Sequence, residues 1–312
     1  MQPWRETQTY SIVARDPVNG ELGVAVQSHY FAVGPVAPWA EAGVGAVAAQ
    51  AYDGAEFGPR ALEILRSGLS AGATLVGMLE DDAFRDLRQV AIVDAAGNVA
   101  VHTGQRCIVA AGHAVGEGFS VQANVMVDES VWEGMRRGYE EAAGPLAHRL
   151  MAALEGGQRA GGDIRGQQSA ALLVVSGVRA ERPWLGRLID LRADDHPRPL
   201  DELRRLLRLH HAHDLLHRAK ASLMHRQPED ALAALSAAID VAPDQGEIRF
   251  YRAVALLELG REKEARDEFR PIFAEGPQWA RLLPRLVDRG LVVRGESAIP
   301  RMTHMTSPEE LT

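Results

Sequence analysis

The sequence predicts an α+β domain of layered strands and helices that ends near residue 200, followed by a small all-helical domain. Two observations carry this. Apolar patterns of strand and helix period follow one another in blocks over the first 200 residues. From Pro199 onward the strand signals vanish and a 34-residue internal repeat appears. Runs of strands alternating with pairs of helices describe stacked layers around a shared core.

Taken in order, TYSIVARD is a strand, PVNG a turn, and ELGVAVQS a second strand of alternating apolar and small or polar residues. VGAVAAQA is a third apolar run, rich in small residues that suit close approach of layers. PRALEILRSG and SAGATLVGMLEDD have helical period, with Pro59 expected in a first turn and Gly68 just past an end. RQVAIVDAAGNVAVHTG is a hairpin turning at residues 94–98. GEGFSVQANVMV holds a further strand, and SVWEGMRRGYEEA and GPLAHRLMAALEGGQ are helices. Ser130 is expected to cap the first of these, with Glu133 completing a capping box. GGDIRGQQSAALLVV then places an acid and a base in a glycine-rich bend that feeds a buried strand. A plain surface turn with an exposed ion pair is the simpler reading of that bend; a polar cluster at a strand end, where ligands bind, is the other.

In the repeat, Ala219, Ala221, Leu223, Ala231 and Pro243 recur as Ala253, Ala255, Leu257, Ala265 and Pro277. Small residues let paired helices approach and the prolines end each second helix. This pattern resembles the tetratricopeptide repeat. The polar tail after Arg294 is expected to be mobile.

Composition bounds the function. The 312 residues are 46% hydrophobic and carry a net charge of −8, which argues against a nucleic-acid or anionic-membrane surface. No apolar run is long enough to span a bilayer. MQPWRETQ lacks the apolar core of a secretion signal, and Cys107 is the only cysteine; a cytoplasmic location is expected. Of 34 basic residues only Lys220 and Lys263 are lysines. Chemistry in the first 219 residues therefore proceeds without a lysine base, Schiff base or phosphate-loop lysine.

Several motifs have bland readings that prevail. Gly43-Val44-Gly45-Ala46-Val47-Ala48 has the letters of a dinucleotide fingerprint, but Pro35 and Pro38 speak against a preceding strand and no helix opens after Ala48. Cys107 with His102 and His113 lacks metal-ligand spacing and reads as a small buried hydrophobe. His210, His213 and His217 share one helical face without a carboxylate or cysteine partner, so a solvated face is expected there. In DDHP, Asp195 either caps the following helix or pairs with His196 for proton transfer. No metal and no cofactor are expected. A hydroxyl at Thr9 or Ser11 matters only if the chain begins there, because a free α-amine is a base for its own threonine.

The series TYSIVARDPVNGELGVAVQS, VGPVAPWAEAGVGAVAAQA, RQVAIVD, HTGQRC, AGH, VQAN, GGDIRGQQSAALLVV and LRADDHP resembles the domain-of-unknown-function family numbered 1028. The resemblance covers residues 9–208, with tetratricopeptide-like repeats over 209–294. It implies a four-layer αββα sandwich like that of the N-terminal-nucleophile hydrolases, which cleave amide bonds with a Thr, Ser or Cys at the amino terminus. Thr9 stands at the nucleophile's position with MQPWRETQ in front of it, so a cut between Gln8 and Thr9 is required. On this reading Asn124 donates to the oxyanion, Arg15, Asp16 and Asp163 orient the terminus, and Arg165 clamps a carboxylate. The expected substrate is a small amide or peptide-like molecule, with the chain a homo-oligomer. The alternative is a non-catalytic ligand-binding or interaction scaffold whose helical repeats dock a partner protein.

Overall fold

The structure, a computed structural model, describes residues 6–52 and 54–303. The chain divides into two compact units, one running to Arg205 and the other from Leu206. The division falls inside a helix rather than in a loop.

The first unit stacks two antiparallel sheets with a helix pair outside each. One sheet contains β1 (Glu6–Thr7), β4 (Pro38–Glu41), β5 (Gly45–Tyr52), β6 (Arg88–Asp94) and β7 (Val99–Thr103). Its path is β1-β5-β6-β7, with β4 also paired to β5. The other runs β11-β10-β3-β2-β9-β8, from β2 (Thr9–Arg15), β3 (Leu22–Ser28), β8 (Gly112–Gly116), β9 (Phe119–Ala123), β10 (Ser169–Val175) and β11 (Arg187–Ala193). Helices α1 (Gly54–Arg66) and α2 (Ala71–Glu80) cover the first sheet. Helices α3 (Ser130–Glu141) and α4 (Leu146–Arg159) cover the second. This is the four-layer αββα sandwich. Val13, Val24, Val26, Ala46, Ala91 and Leu173 form the apolar part of the core between the sheets.

The chain passes from the first sheet to the second at one residue. Thr7 pairs with Ala51, Thr9 pairs with Ser28, and Gln8 makes the crossing. β2 and β3 then run in register from Thr9↔Ser28 to Arg15↔Leu22, so whatever sits at Thr9 lies at the far end of the strand from Arg15.

Local differences from the sequence reading have physical causes. Pro59 lies inside α1 rather than in its first turn. Ser130 is the first helical residue rather than the cap, and the Asp128 carboxylate accepts its N–H at 2.8 Å. A short strand, β4, does precede Gly43; it begins at Pro38, an edge position where a missing N–H costs nothing. Gly43, with φ of 64°, turns β4 into β5, which continues as strand to Tyr52, so no nucleotide-binding helix follows. GEGFSVQANV is joined by an additional strand before it: β8 and β9 form a hairpin that turns at Gly118.

The second unit is helical. α5 (Pro199–Met224) leads into α6 (Pro228–Val241), α7 (Gly246–Glu258), α8 (Glu262–Glu275), α9 (Gln278–Asp288) and α10 (Ile299–Thr303). Ala219, Leu223 and Ala231 are buried together with their repeat-mates Ala253, Leu257 and Ala265. The region after Arg294 departs from the expected mobile tail: Ile299 and Met302 of α10 belong to this core. The expectations for residues 1–5 and 304–312 lie outside the described residues. No described helix is long and apolar enough to cross a membrane.

Glycines set the distance between α3 and α4. A Cβ on Gly156 would stand 2.2 Å from the Gly134 carbonyl oxygen, a backbone atom that cannot swing away. Gly156→Ala is therefore expected to lower stability by about 1–2 kcal/mol, because overpacking outweighs the ~1 kcal/mol helix-propensity gain. At Gly77 in α2 nothing lies within 4 Å of an added Cβ, and Gly77→Ala is expected to stabilise by up to ~1 kcal/mol. Urea unfolding of the two variants checks the pair of opposite signs.

Candidate functional site

The end of the sandwich where the chain crosses between sheets concentrates its buried polar groups. Thr9 is completely buried and its hydroxyl donates to the Thr7 carbonyl at 3.0 Å. The Thr9 carbonyl receives three donors: Gln50 Nε2 at 3.0 Å, the Asn124 backbone N–H at 3.2 Å and Asn124 Nδ2 at 3.4 Å. Behind them Gln89 Oε1 accepts from Gln50 Nε2 at 2.7 Å and from Asn124 Nδ2 at 2.9 Å. Gln89 Nε2 in turn reaches Thr103 Oγ1 at 2.9 Å and the carbonyls of Gly112 and Ala123. Ser11 donates to Gln50 Oε1 at 2.6 Å and accepts from Gln122 Nε2 at 2.6 Å. The amides thus stitch β2 and β9 of one sheet to β5 and β6 of the other.

The glycine bend closes this end. Gly161, Gly162 and Gly166 all have φ between 66° and 117°, a region side chains avoid. At Gly162 a Cβ would also stand 2.9 Å from Gln158 Oε1, the atom that accepts from the Tyr10 hydroxyl at 3.0 Å. Burial, and then the charge of Asp163, hold the Tyr10 phenol well above its ordinary pKa, so it stays a donor. Asp163 is anchored by a bridge to Met126 and takes donors from the His29 backbone at 3.4 Å and the Arg165 backbone at 2.9 Å.

Arg165 spans from the bend to the crossing residue. Its Nε and Nη2 meet Asp163 Oδ1 at 3.0 Å and Oδ2 at 2.6 Å, a fork-to-fork pair. Its Nη1 donates to Gln8 Oε1 at 3.1 Å and its Nη2 to the Gln8 carbonyl at 3.0 Å. Ser28 Oγ donates to that same carbonyl at 2.5 Å. The peptide carbonyl joining Gln8 to Thr9 therefore carries a hydroxyl and a guanidinium donor, neither belonging to a strand ladder.

Of the residues singled out by sequence, the structure brings together Thr9, Asn124, Asp163 and Arg165. It does not bring Arg15 and Asp16 there. They lie at the opposite end of β2, about 20 Å away at strand rise. Arg15 Nε donates to the Ala95 carbonyl, and Asp16 Oδ1 accepts from Val18 and Asn19 in its own turn. Asn124 has both amide hydrogens engaged with Gln89 and Thr9, while its buried Oδ1 lacks a partner.

Gln8, Ser28, Gln50 and Gln89 were missed. The available signal, a glutamine inside an apolar run, covers only Gln50 in VAAQA and Gln89 in RQVAIV; nothing comparable marks Gln8 or Ser28.

The remaining motifs keep their modest roles. Asp195 accepts from Gln168 Nε2 at 3.2 Å, while His196 Nδ1 takes the Arg198 N–H at 3.0 Å just before α5. Burial is the main cause holding the His210 imidazole below its ordinary value. Among the described residues no group of three or more His, Cys, Asp or Glu is arranged to hold a metal.

The family described as a family of unknown function, DUF1028, matches residues 9–203, and a tetratricopeptide repeat model matches residues 222–286. Among solved structures, a crystal structure of protein SPO2555 from Silicibacter pomeroyi, assigned to the same DUF1028 model, is similar. It is 30% identical with a TM-score of 0.58, over 64% of this chain and 84% of that one. No curated protein matches.

Two outcomes follow from the geometry. Gln89→Leu strands buried donors on Gln50 and Asn124 and two carbonyls, so a loss on the order of 3 kcal/mol in denaturant unfolding is expected. Cys107 is buried, and desolvation pushes its thiol up to about 11. At pH 8 only about one thiol in a thousand is ionised. Titration with a disulfide reagent should therefore be slow for the native chain and complete only after unfolding.

Proposed function

The chain belongs to the DUF1028 family, whose function its description leaves unknown, and from that premise we propose an amide hydrolase whose nucleophile is Thr9. The observation that carries the proposal is the Gln8 carbonyl, held by Ser28 Oγ at 2.5 Å and Arg165 Nη2 at 3.0 Å in the peptide bond that leads into Thr9. Donors aimed at a carbonyl oxygen are what stabilises the oxyanion of acyl transfer.

The first reaction opens the chain. Thr9 Oγ adds to the Gln8 carbonyl carbon, and the developing oxyanion lies between Ser28 and Arg165. The C–N bond breaks as the nitrogen leaves as the α-amine of Thr9, taking up the hydroxyl proton. Water then hydrolyses the Gln8 ester and releases the preceding segment as a carboxylate. Turnover repeats the sequence on a free substrate. The Thr9 amine accepts the hydroxyl proton, Oγ takes the acyl group, the amine product departs with that proton, and water frees the acid. The spare Oδ1 of Asn124 suits the N–H donors of an uncapped Thr9, and its amide hydrogens orient the Thr9 carbonyl. Asp163 positions Arg165.

A non-catalytic scaffold, with the helical repeats docking a protein partner, is the rival. It is favoured by the pairing of Glu6 and Thr7 with β5, which keeps these two residues in the sheet.

Intact-mass measurement and an amide-substrate screen decide. A chain beginning at Thr9 is expected, with Thr9→Ala retaining residues 1–8 and losing at least a hundredfold in turnover. Ser28→Ala is expected to slow the cut by 10²–10³. Activity in protein that keeps residues 1–8, or equal turnover by Thr9→Ala, overturns the nucleophile.

A further inference from the structure

We infer that Gln8 occupies the acyl-side subsite of the enzyme, and that this subsite selects α-glutamyl amides. The inference rests on the Thr9 hydrolase reading. In the uncut chain Gln8 is itself the acyl group bonded to the Thr9 nitrogen. Its side chain therefore lies on the acyl side of the bond that Thr9 Oγ attacks, and its contacts are those offered to a substrate's acyl group.

Those contacts come from one guanidinium edge. Asp163, its side chain fully buried, fixes the Nε and Nη2 edge of Arg165. The outward edge chelates two oxygens of a single residue, with Nη1 on Gln8 Oε1 at 3.1 Å and Nη2 on the Gln8 carbonyl at 3.0 Å. An acyl group with an acceptor two methylenes beyond its α-carbon reproduces both contacts. A leucyl group fills similar space with no acceptor, and an aspartyl group falls one methylene short.

Carboxylate is preferred to carboxamide for a local reason. Gln8 Nε2 donates to Glu6 Oε2 at 2.8 Å, and Glu6 belongs to the segment that leaves. Once it has gone, a substrate carboxamide lacks that acceptor, whereas the Arg165 donors remain. A carboxylate on a guanidinium also adds attraction between opposite charges to the hydrogen bonds, which a carboxamide does not. In turnover the glutamyl group passes to Thr9 Oγ, the amine leaves with the hydroxyl proton, and water releases glutamate.

The test uses purified protein whose amino terminus is Thr9 by mass, with glutamyl, glutaminyl, aspartyl and leucyl anilides. The kcat/KM for the glutamyl anilide is expected to exceed that for the leucyl anilide at least tenfold. In Arg165→Lys, which keeps the charge and loses the fork, that ratio is expected to collapse towards one. Calorimetry should show L-glutamate binding weakened at least tenfold in the same variant. In full-length chains, Gln8→Leu should be cut at least tenfold more slowly than wild type, and Gln8→Glu combined with Glu6→Gln, which removes the facing carboxylate, should not be slowed. Anilide turnover without a glutamyl preference, a preference that survives Arg165→Lys, or equal cutting of Gln8→Leu overturns the subsite and leaves the hydrolase. Glutamate binding with no anilide turnover overturns the hydrolase and leaves the subsite. Retention of residues 1–8 in the purified chain overturns both.

Discussion

Three donors on one carbonyl organise this sandwich. Thr9 is the first residue of β2, and its oxygen is held by Gln50 from the opposite sheet and by Asn124 from the strand end after β9. Gln89 keeps both side-chain amides in place. Sheets packed on apolar contacts alone tolerate small slides, but amides with fixed partners do not, since each unmatched buried group costs about 1–3 kcal/mol. The apolar core fills the other part of the interface and supplies non-directional burial. The amide ladder supplies the registration of one sheet on the other.

That registration explains why Gln8 is exceptional. A residue that leaves one sheet and enters the next belongs to neither ladder, so its carbonyl must find partners elsewhere. Here it finds a serine hydroxyl and an arginine. Buried backbone carbonyls most often find another backbone group as their partner. Side-chain donors of this kind place polarising groups on a peptide bond whose next residue carries a hydroxyl.

The layers were legible in the sequence because their signals are periodic. The RQVAIVDAAGNVAVHTG hairpin turns where its letters say, with Asp94 Oδ1 accepting from Ala96 and Asn98. The helical repeat buries its small residues as their spacing requires. β4 was illegible because Pro38 opens it, and α10 because two buried residues, Ile299 and Met302, are too few to make a pattern. At the site, the glycines marked a bend, but the simpler reading of it, a surface turn with an exposed ion pair, fails because Asp163 is buried beneath Arg165. The glutamines carried no such mark, since a lone amide in an apolar strand looks the same facing solvent or core. Arg15 and Asp16 were drawn in by closeness to Thr9 in sequence, but six residues of strand separate the ends by nearly the height of the sheet.

Arginine rather than lysine at position 165 has a consequence for energetics. A guanidinium has two edges, and in the uncut chain both are filled, one by Asp163 and one by Gln8. Removing the segment before Thr9 empties the outward edge while the buried carboxylate keeps it aimed. Its donors then lose the Gln8 oxygens. They turn instead to water or to an acceptor of matching geometry, and a rigid fork loses less freedom on capturing two oxygens than a flexible ammonium would. In the uncut chain the guanidinium thus has protein partners on both edges, and on the proposed reading an acyl group bound after the cut would take up the interaction that Gln8 gives up.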